Sequence, residues 1–278
     1  MSGLPDLRGK VAVVTGGASG IGKGIAVKLA EESMRVVIAD IERSALEETA
    51  AEIGAAAIHV DVSDLTSVEA LADEVADRFG TAHVVCNNAG VGPMAPVRDL
   101  KIEDWRWMID VNLYGVIHGV QAFLPVLAAN ADGGHIVNTA SMAGLVAQPR
   151  QAAYSVTKFG VVALTETLAA ELAADESRVG VTVLCPGTVH TSIGTSTRNR
   201  QAWYEGGGLR DVDLAQEDNP GRRWITPEEV GAAAVRAIKR GDLYAMTHPE
   251  RYAQVARRHE AIAAAFRRAA AAATAESA

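Results

Sequence analysis

Lys10-Val-Ala-Val-Val-Thr15-Gly16-Gly17-Ala18-Ser19-Gly20-Ile21-Gly22-Lys23-Gly24 is a short apolar run that breaks into glycine and then into a helical pattern reaching about Glu32. Strand, glycine turn and helix in that order open a dinucleotide-binding βαβ unit. Glycines let the backbone approach a pyrophosphate at a helix N-terminus, where free N–H groups and the helix dipole favour anions. The spacing is G-x-x-x-G-x-G over Gly16, Gly20 and Gly22, not the more general G-x-G-x-x-G. Gly17 to Lys23 also fits the first seven positions of a P-loop, but the eighth is Gly24, where a P-loop needs a hydroxyl for Mg²⁺. A glycine turn that binds nothing is the third reading.

Working outward, Arg35 to Asp40 reads as a second strand ending in a carboxylate twenty-four residues after Gly16. That is the place of an acid that hydrogen-bonds the adenosine ribose and repels a 2′-phosphate, so NAD is expected over NADP. Arg43 softens this preference, and Asp40 has a second available role as cap of the helix Glu42 to Ile53. A third strand, Ala56 to Asp61, leads through Val62 to a helix capped by Ser63 or Asp64 and ending near Phe79. A fourth, His83 to Asn87, runs into Asn88-Ala89-Gly90, a composition suited to a cofactor-lining loop. A long helical pattern from about Asp99 to Ala129 carries Trp105 and Trp107, read as packing residues. It also carries Asn112, which must find partners if buried.

The apolar run from His135 to Thr139 ends at Ser141, thirteen residues before Tyr154, and Lys158 follows Tyr154 by four. On a helix, residues four apart share a face. A phenol is a poor base near neutrality, but a nearby ammonium favours the phenolate, and a hydroxyl can hold a substrate oxygen beside it. A sixth strand, Val179 to Cys185, runs into Pro186-Gly187-Thr188-Val189-His190-Thr191. Residues 192–225 are polar and rich in glycine and arginine, with Trp203, Tyr204, Leu209 and Leu214. They read as a mobile lid ahead of the capped helix at Thr226-Pro227-Glu228, over a partly apolar substrate, with a disordered surface loop as the alternative reading. A short strand, Asp242 to Met246, and a helix from about Pro249 follow, and residues 269–278 are expected to fray.

At 278 residues, 49% of them hydrophobic and 22% charged, the chain suits one α/β domain with a substantial core. A net charge of −8 argues against nucleic acid as a partner. No uninterrupted apolar run approaches the roughly 20 residues of a membrane span. The N-terminus shows no signal-peptide core, so no membrane and a cytoplasmic location are expected. Cys86 and Cys185 lie in apolar runs and read as reduced core residues. The histidines form no HExxH and there is no CxxC, so no metal is expected; His190 reads as structural or substrate-contacting. Strands alternating with helices give a single doubly wound parallel sheet, a Rossmann fold covered by helices on both faces.

Thr15-Gly-Gly-Ala-Ser-Gly-Ile-Gly22, Asn87-Asn-Ala-Gly90, Asn112, Ser141, Tyr154-Ser-Val-Thr-Lys158 and Pro186-Gly187, in this order and spacing, resemble the short-chain dehydrogenase/reductase family. The resemblance implies a single Rossmann domain of about seven parallel strands, assembled as a homotetramer or dimer. The helices bearing Asn112 and Tyr154 would form the main interface. It implies an NAD(H)-dependent oxidoreductase that interconverts a secondary alcohol and a ketone. Tyr154 would be the acid/base, and Lys158 would lower its pKa and hold the nicotinamide ribose. Ser141 would hold the substrate oxygen, and Asn112 would support a water reaching Lys158. Gly16, Ser19, Gly20, Ile21 and Gly22 would meet the pyrophosphate, Asp40 the ribose, and Asp61 with Val62 the adenine. Asn88, Ala89, Gly90, Pro186, Gly187, Val189 and Thr191 would flank the nicotinamide ribose and ring. A non-catalytic dinucleotide-binding protein is the alternative reading, set against the intact Tyr154 and Lys158. The family diverges after Thr191, so the resemblance implies no particular substrate.

Overall fold

The computed structural model describes residues 3–204, 206–214 and 223–276. Residues 205 and 215–222 of the expected lid, and 277–278 of the expected fraying tail, lie outside the described residues. The strands are Val11–Thr15 (β1), Arg35–Asp40 (β2), Ala56–His59 (β3), Val84–Asn87 (β4), Gly134–Thr139 (β5), Val179–Cys185 (β6) and Tyr244–Met246 (β7). They form one parallel sheet in the order β3-β2-β1-β4-β5-β6-β7. Near-continuous Val, Ile and Ala explain the arrangement, because strands covered on both faces have no polar side to alternate with. The order reverses direction at β1, which pairs with both β2 and β4, and the crevice at such a switch point is where ligands bind.

The helices are Gly20–Glu31 (α1), Arg43–Ile53 (α2), Leu65–Phe79 (α3), Ile102–Ile109 (α4), Gly115–Ala128 (α5), Ala152–Ala174 (α6), Pro227–Arg240 (α7) and Tyr252–Glu276 (α8). One core layer joins Val14, Ile25, Leu29 and Ile38 to Val230, Ala234 and Ile238 on α7. The other joins Val13, Val37 and Ile136 to Leu71, Val75, Phe123 and Leu127. Each fully buried side chain of this size contributes roughly 1.5–3 kcal/mol. Asp64 caps α3 by accepting from Thr66 N at 3.0 Å, and Thr226 forms a capping box with Glu229 at the start of α7. Cys86 and Cys185 are buried free thiols, each pushed up to about 12 by burial and so unreactive.

Four expectations need correction. β3 ends at His59, two residues early, because Asp61 turns the chain by accepting from Ser63 N at 3.0 Å. β7 starts at Tyr244, where its register with Val183 begins. The helix expected from Asp99 starts at Ile102 and is interrupted by a π turn, Asp110–Tyr114, between α4 and α5. By length (27 residues) and mean hydropathy (1.4), Ile102–Ala128 would also suffice to cross a bilayer. An uninterrupted-run criterion misses this, because polar residues such as Asp104 and Asn112 divide the stretch. In the fold, α5 packs on β4, β5 and α3 as a core helix.

Residues 1–247 form one compact unit and 248–278 another. The second consists, as far as it is described, of a short 3₁₀ turn at Pro249–Arg251 and α8, which remains helical through residue 276, as its alanine content favours.

Candidate active site

The glycine turn is shaped by close approach. Gly16 has φ of 66°, and a Cβ on it would lie 2.7 Å from Ala89 Cα; a Cβ on Gly22 would lie 2.0 Å from the Gly16 carbonyl oxygen. Ser19, at the N-cap of α1, makes no side-chain cap and the first turn carries no acid, so the helix end stays open to an anion. Gly24 packs on Pro227, where a Cβ would come within 2.3 Å of its backbone. A P-loop hydroxyl has no room at this position. Asn88 staples the turn to the sheet: its N–H donates to Thr15 Oγ1 at 3.0 Å, its Nδ2 to Thr15 O at 3.1 Å, and its Oδ1 accepts from Thr139 at 3.3 Å.

At the end of β2, Asp40 accepts from Ala18 N at 3.1 Å and Glu42 N at 3.0 Å. It thereby braces the glycine turn rather than the first turn of α2. Burial raises its pKa, with these backbone donors opposing. Arg43 is exposed. Beyond β3, Asp61 accepts from Ser63 Oγ at 2.6 Å and Gln201 Nε2 at 2.8 Å, and the Val62 carbonyl lies 2.9 Å from His118 Nδ1.

Across the switch point, α6 and the end of β5 bring Ser141, Tyr154 and Lys158 together. The Ser141 hydroxyl lies close enough to the Tyr154 phenol to lower its pKa; its own hydrogen bonds are a donation to Pro186 O at 3.5 Å and an acceptance from Ala143 N at 3.1 Å. Lys158 is only 2% exposed; its Nζ donates to Thr139 O at 2.9 Å and lies 5.6 Å from the centroid of the Tyr154 ring. The expected electrostatics are reversed in the chain by itself. Burial raises the Tyr154 pKa against the lowering effect of Ser141, and burial lowers that of Lys158 to about 8. Burial is the leading cause of both shifts, with Lys158 almost fully enclosed and Tyr154 partly so.

Asn112 sits fully buried in the π turn. Its Oδ1 accepts from Val91 N at 2.8 Å, and its Nδ2 donates to Val91 O at 2.9 Å and contacts Met108 Sδ at 3.0 Å. The side chain thereby fixes the loop after β4. A Cβ on Gly90 would sit 3.1 Å from Asn112 Oδ1 and 3.7 Å from Lys158 Nζ, so that loop lies directly on the site. After β6, Gly187 N donates to Thr247 Oγ1 at 3.3 Å and Val189 bridges Ile225. Thr191 reaches over the α1 N-terminus, 3.1 Å from where a Cβ on Gly20 would be. His190 stacks on Trp224 with ring centroids 4.9 Å apart, a packing role.

The described part of the expected lid is tied down by contacts that local sequence reading missed. Arg198 Nη2 donates to Glu42 Oε1 at 2.6 Å, and Arg200 pairs with fully buried Asp104 at 2.6 Å. The Tyr204 hydroxyl donates to Asp110 at 2.7 Å. The partners lie 94 to 156 residues away in sequence, so only clusters of arginine and acid hinted at them. Tyr204 and Leu209 are buried in an apolar cluster with Val91, Trp107, Met108 and Ala153, against which Tyr154 packs. Leu214 is partly buried and Trp203 is 71% exposed, so Trp203 adds nothing to that wall.

The short chain dehydrogenase family profile matches residues 10–202. A D-threitol dehydrogenase of Mycolicibacterium smegmatis is 38% identical over 82% of this chain and 85% of its own. A 3beta-hydroxysteroid dehydrogenase of Eggerthella lenta is 34% identical over 83% and 88%. A short chain dehydrogenase/reductase of Burkholderia phymatum, crystallised in complex with NAD, superposes with a TM-score of 0.85 at 35% identity, covering 93% of this chain and 96% of that one. Sheet order, glycine turn and sequence kinship agree, and the chain belongs to the short-chain dehydrogenase family of oxidoreductases.

Proposed function

We propose that the chain interconverts a secondary alcohol and a ketone with NAD(H), using Tyr154 as acid/base. The observation that carries this reading is the grouping of Ser141, Tyr154 and the buried Lys158 amine at the carboxyl end of the sheet, with Lys158 Nζ 5.6 Å from the Tyr154 ring. The residues fit a dinucleotide: an uncapped α1 N-terminus for the pyrophosphate, Asp40 for the adenosine ribose, and Lys158 beside Gly90 for the nicotinamide ribose. When bound, the cofactor supplies the hydride or accepts it. Ser141 holds the substrate oxygen. Tyr154, kept protonated by burial, gives its proton to the carbonyl oxygen in reduction and takes one from the alcohol in oxidation. Lys158, titrating near 8, supplies the positive charge that lets the phenol lose its proton in the oxidative direction. Asn112 fixes the loop at Val91, beside Gly90, and supports a water that reaches Lys158.

Asp40 presents a carboxylate at the ribose corner, which supports NAD over NADP, while the Glu42 carboxylate nearby is ion-paired to Arg198. The cluster of Val91, Trp107, Met108, Ala153, Tyr204 and Leu209 supports a partly apolar substrate. The dehydrogenases of D-threitol and of a 3β-hydroxysteroid are relatives of opposite polarity, so kinship does not choose between those classes. Tyr114, 48% exposed, and Val156, 49% exposed, leave apolar surface on the helical segments that carry Asn112 and Tyr154, in keeping with a homo-oligomer. A purely binding role leaves the Ser141–Tyr154–Lys158 cluster without a use. The test is reduced-nicotinamide formation across secondary alcohols of several classes, with NAD and with NADP, beside Tyr154→Phe. The variant is expected to lose about 10²–10⁴-fold in turnover while still binding NADH; unchanged turnover refutes the assignment.

A further inference from the structure

One segment after β6 reaches two neighbouring strand ends. Arg198 Nη2 and Asn199 Nδ2 donate to Glu42 beyond β2 at 2.6 and 2.8 Å, and Gln201 Nε2 donates to Asp61 beyond β3 at 2.8 Å. A carboxylate only accepts, so the amide nitrogen of Gln201 must be the atom that faces Asp61, and its oxygen points elsewhere. That oxygen, Oε1, is buried and has no partner among the described residues. An orphaned buried acceptor is costly unless something donates to it. Asp61 is also incompletely used. Of its roughly four acceptor positions, three are taken, by Ser63 N, Ser63 Oγ and Gln201 Nε2.

We infer that Gln201 reads the adenine base of the cofactor, its Oε1 accepting from the 6-amino group beside the remaining acceptor position of Asp61. The inference rests on the proposal that the cleft takes a dinucleotide. With the ribose at Asp40 on the end of β2, the base extends toward the next strand, β3, and so toward Asp61 and Gln201. An exocyclic amine carries two N–H donors, which matches one acceptor from each residue. A base with a 6-oxo group presents an acceptor to the same two acceptors and is rejected. Gln201 is thus a specificity residue delivered by the lid, while Arg198 and Asn199 hold the lid at Glu42.

The test compares binding of NADH and of its 6-oxo analogue, reduced nicotinamide hypoxanthine dinucleotide, by nicotinamide fluorescence with no substrate present. Wild type is expected to prefer the adenine form about tenfold or more. Gln201→Met, which keeps the volume, and Gln201→Ala are both expected to reduce the preference about three- to tenfold by weakening NADH, the remainder being that of Asp61. Thermal melts check that both variants are folded. Wild type binding both forms equally, or both variants retaining the full preference, overturns the role of Gln201 while leaving the dinucleotide site standing. Wild type binding neither form overturns the dinucleotide reading itself, and this inference with it.

Discussion

Replacing Lys158 by methionine should abolish turnover and yet change stability in a direction set by pH. The amine is 2% exposed, and burial lowers its pKa from 10.5 to about 8. Below pH 8 the folded chain therefore holds a desolvated ammonium, at a cost of about 3 kcal/mol relative to the unfolded chain. Methionine removes that cost but leaves Thr139 O without its donor, which returns about 1–3 kcal/mol. The net change at pH 7 is consequently small, and the slope is the informative quantity. Between pH 7 and 9 the folded lysine loses its proton while the unfolded one keeps it. The unfolded state then binds more protons, and wild-type stability rises with pH by about 1.4 kcal/mol relative to the variant. Urea unfolding of both proteins at these two pH values, at one protein concentration and without cofactor, measures this difference. A stability gap that does not move between pH 7 and 9 refutes the reasoning, because it places the folded amine near its ordinary pKa and in contact with water.

Two further predictions concern the ends of the cleft. Asp40→Ala should weaken NADH binding about tenfold more than NADPH binding, since the carboxylate both accepts from the ribose and repels a 2′-phosphate; equal losses in a fluorescence titration contradict the cofactor preference. Arg200→Leu leaves Asp104 buried at 0% side-chain exposure without its cation. It should lower stability by about 3 kcal/mol, and a urea midpoint within error of wild type shows that the pair is not an anchor.

The parts of the fold legible in the sequence are those encoded locally. The short apolar runs of β1, β2, β4 and β6, rich in valine and broken by glycine, asparagine or proline, read as strands covered on both faces. The glycine spacing marks the turn, although the clash at Gly16 is with the distant Ala89 and only that at Gly22 is with the turn itself, and the four-residue step from Tyr154 to Lys158 places both on one face of α6. The π turn at Asn112 adds a residue to an apolar helical pattern without leaving a signature in it. The protonation behaviour of Tyr154 escaped for a different reason. Sequence spacing shows that a lysine is near, but only the packed structure shows how far burial acts on each group, raising the Tyr154 pKa and lowering that of Lys158. The partners of Arg198, Arg200 and Gln201 lie about a hundred residues or more away, beyond the reach of local pattern.

Those long-range contacts give the segment 193–204 a position that neither end of the cleft has alone. At one end Arg198, Asn199 and Gln201 hold Glu42 and Asp61, at the strand ends proposed to take the adenosine. At the other, Arg200 pairs with Asp104 and Tyr204 bonds Asp110, which packs Tyr204 into the apolar cluster beside Tyr154. Gln201 and Arg200 are adjacent in the chain, so side chains one peptide unit apart are anchored on opposite sides of the proposed reaction site.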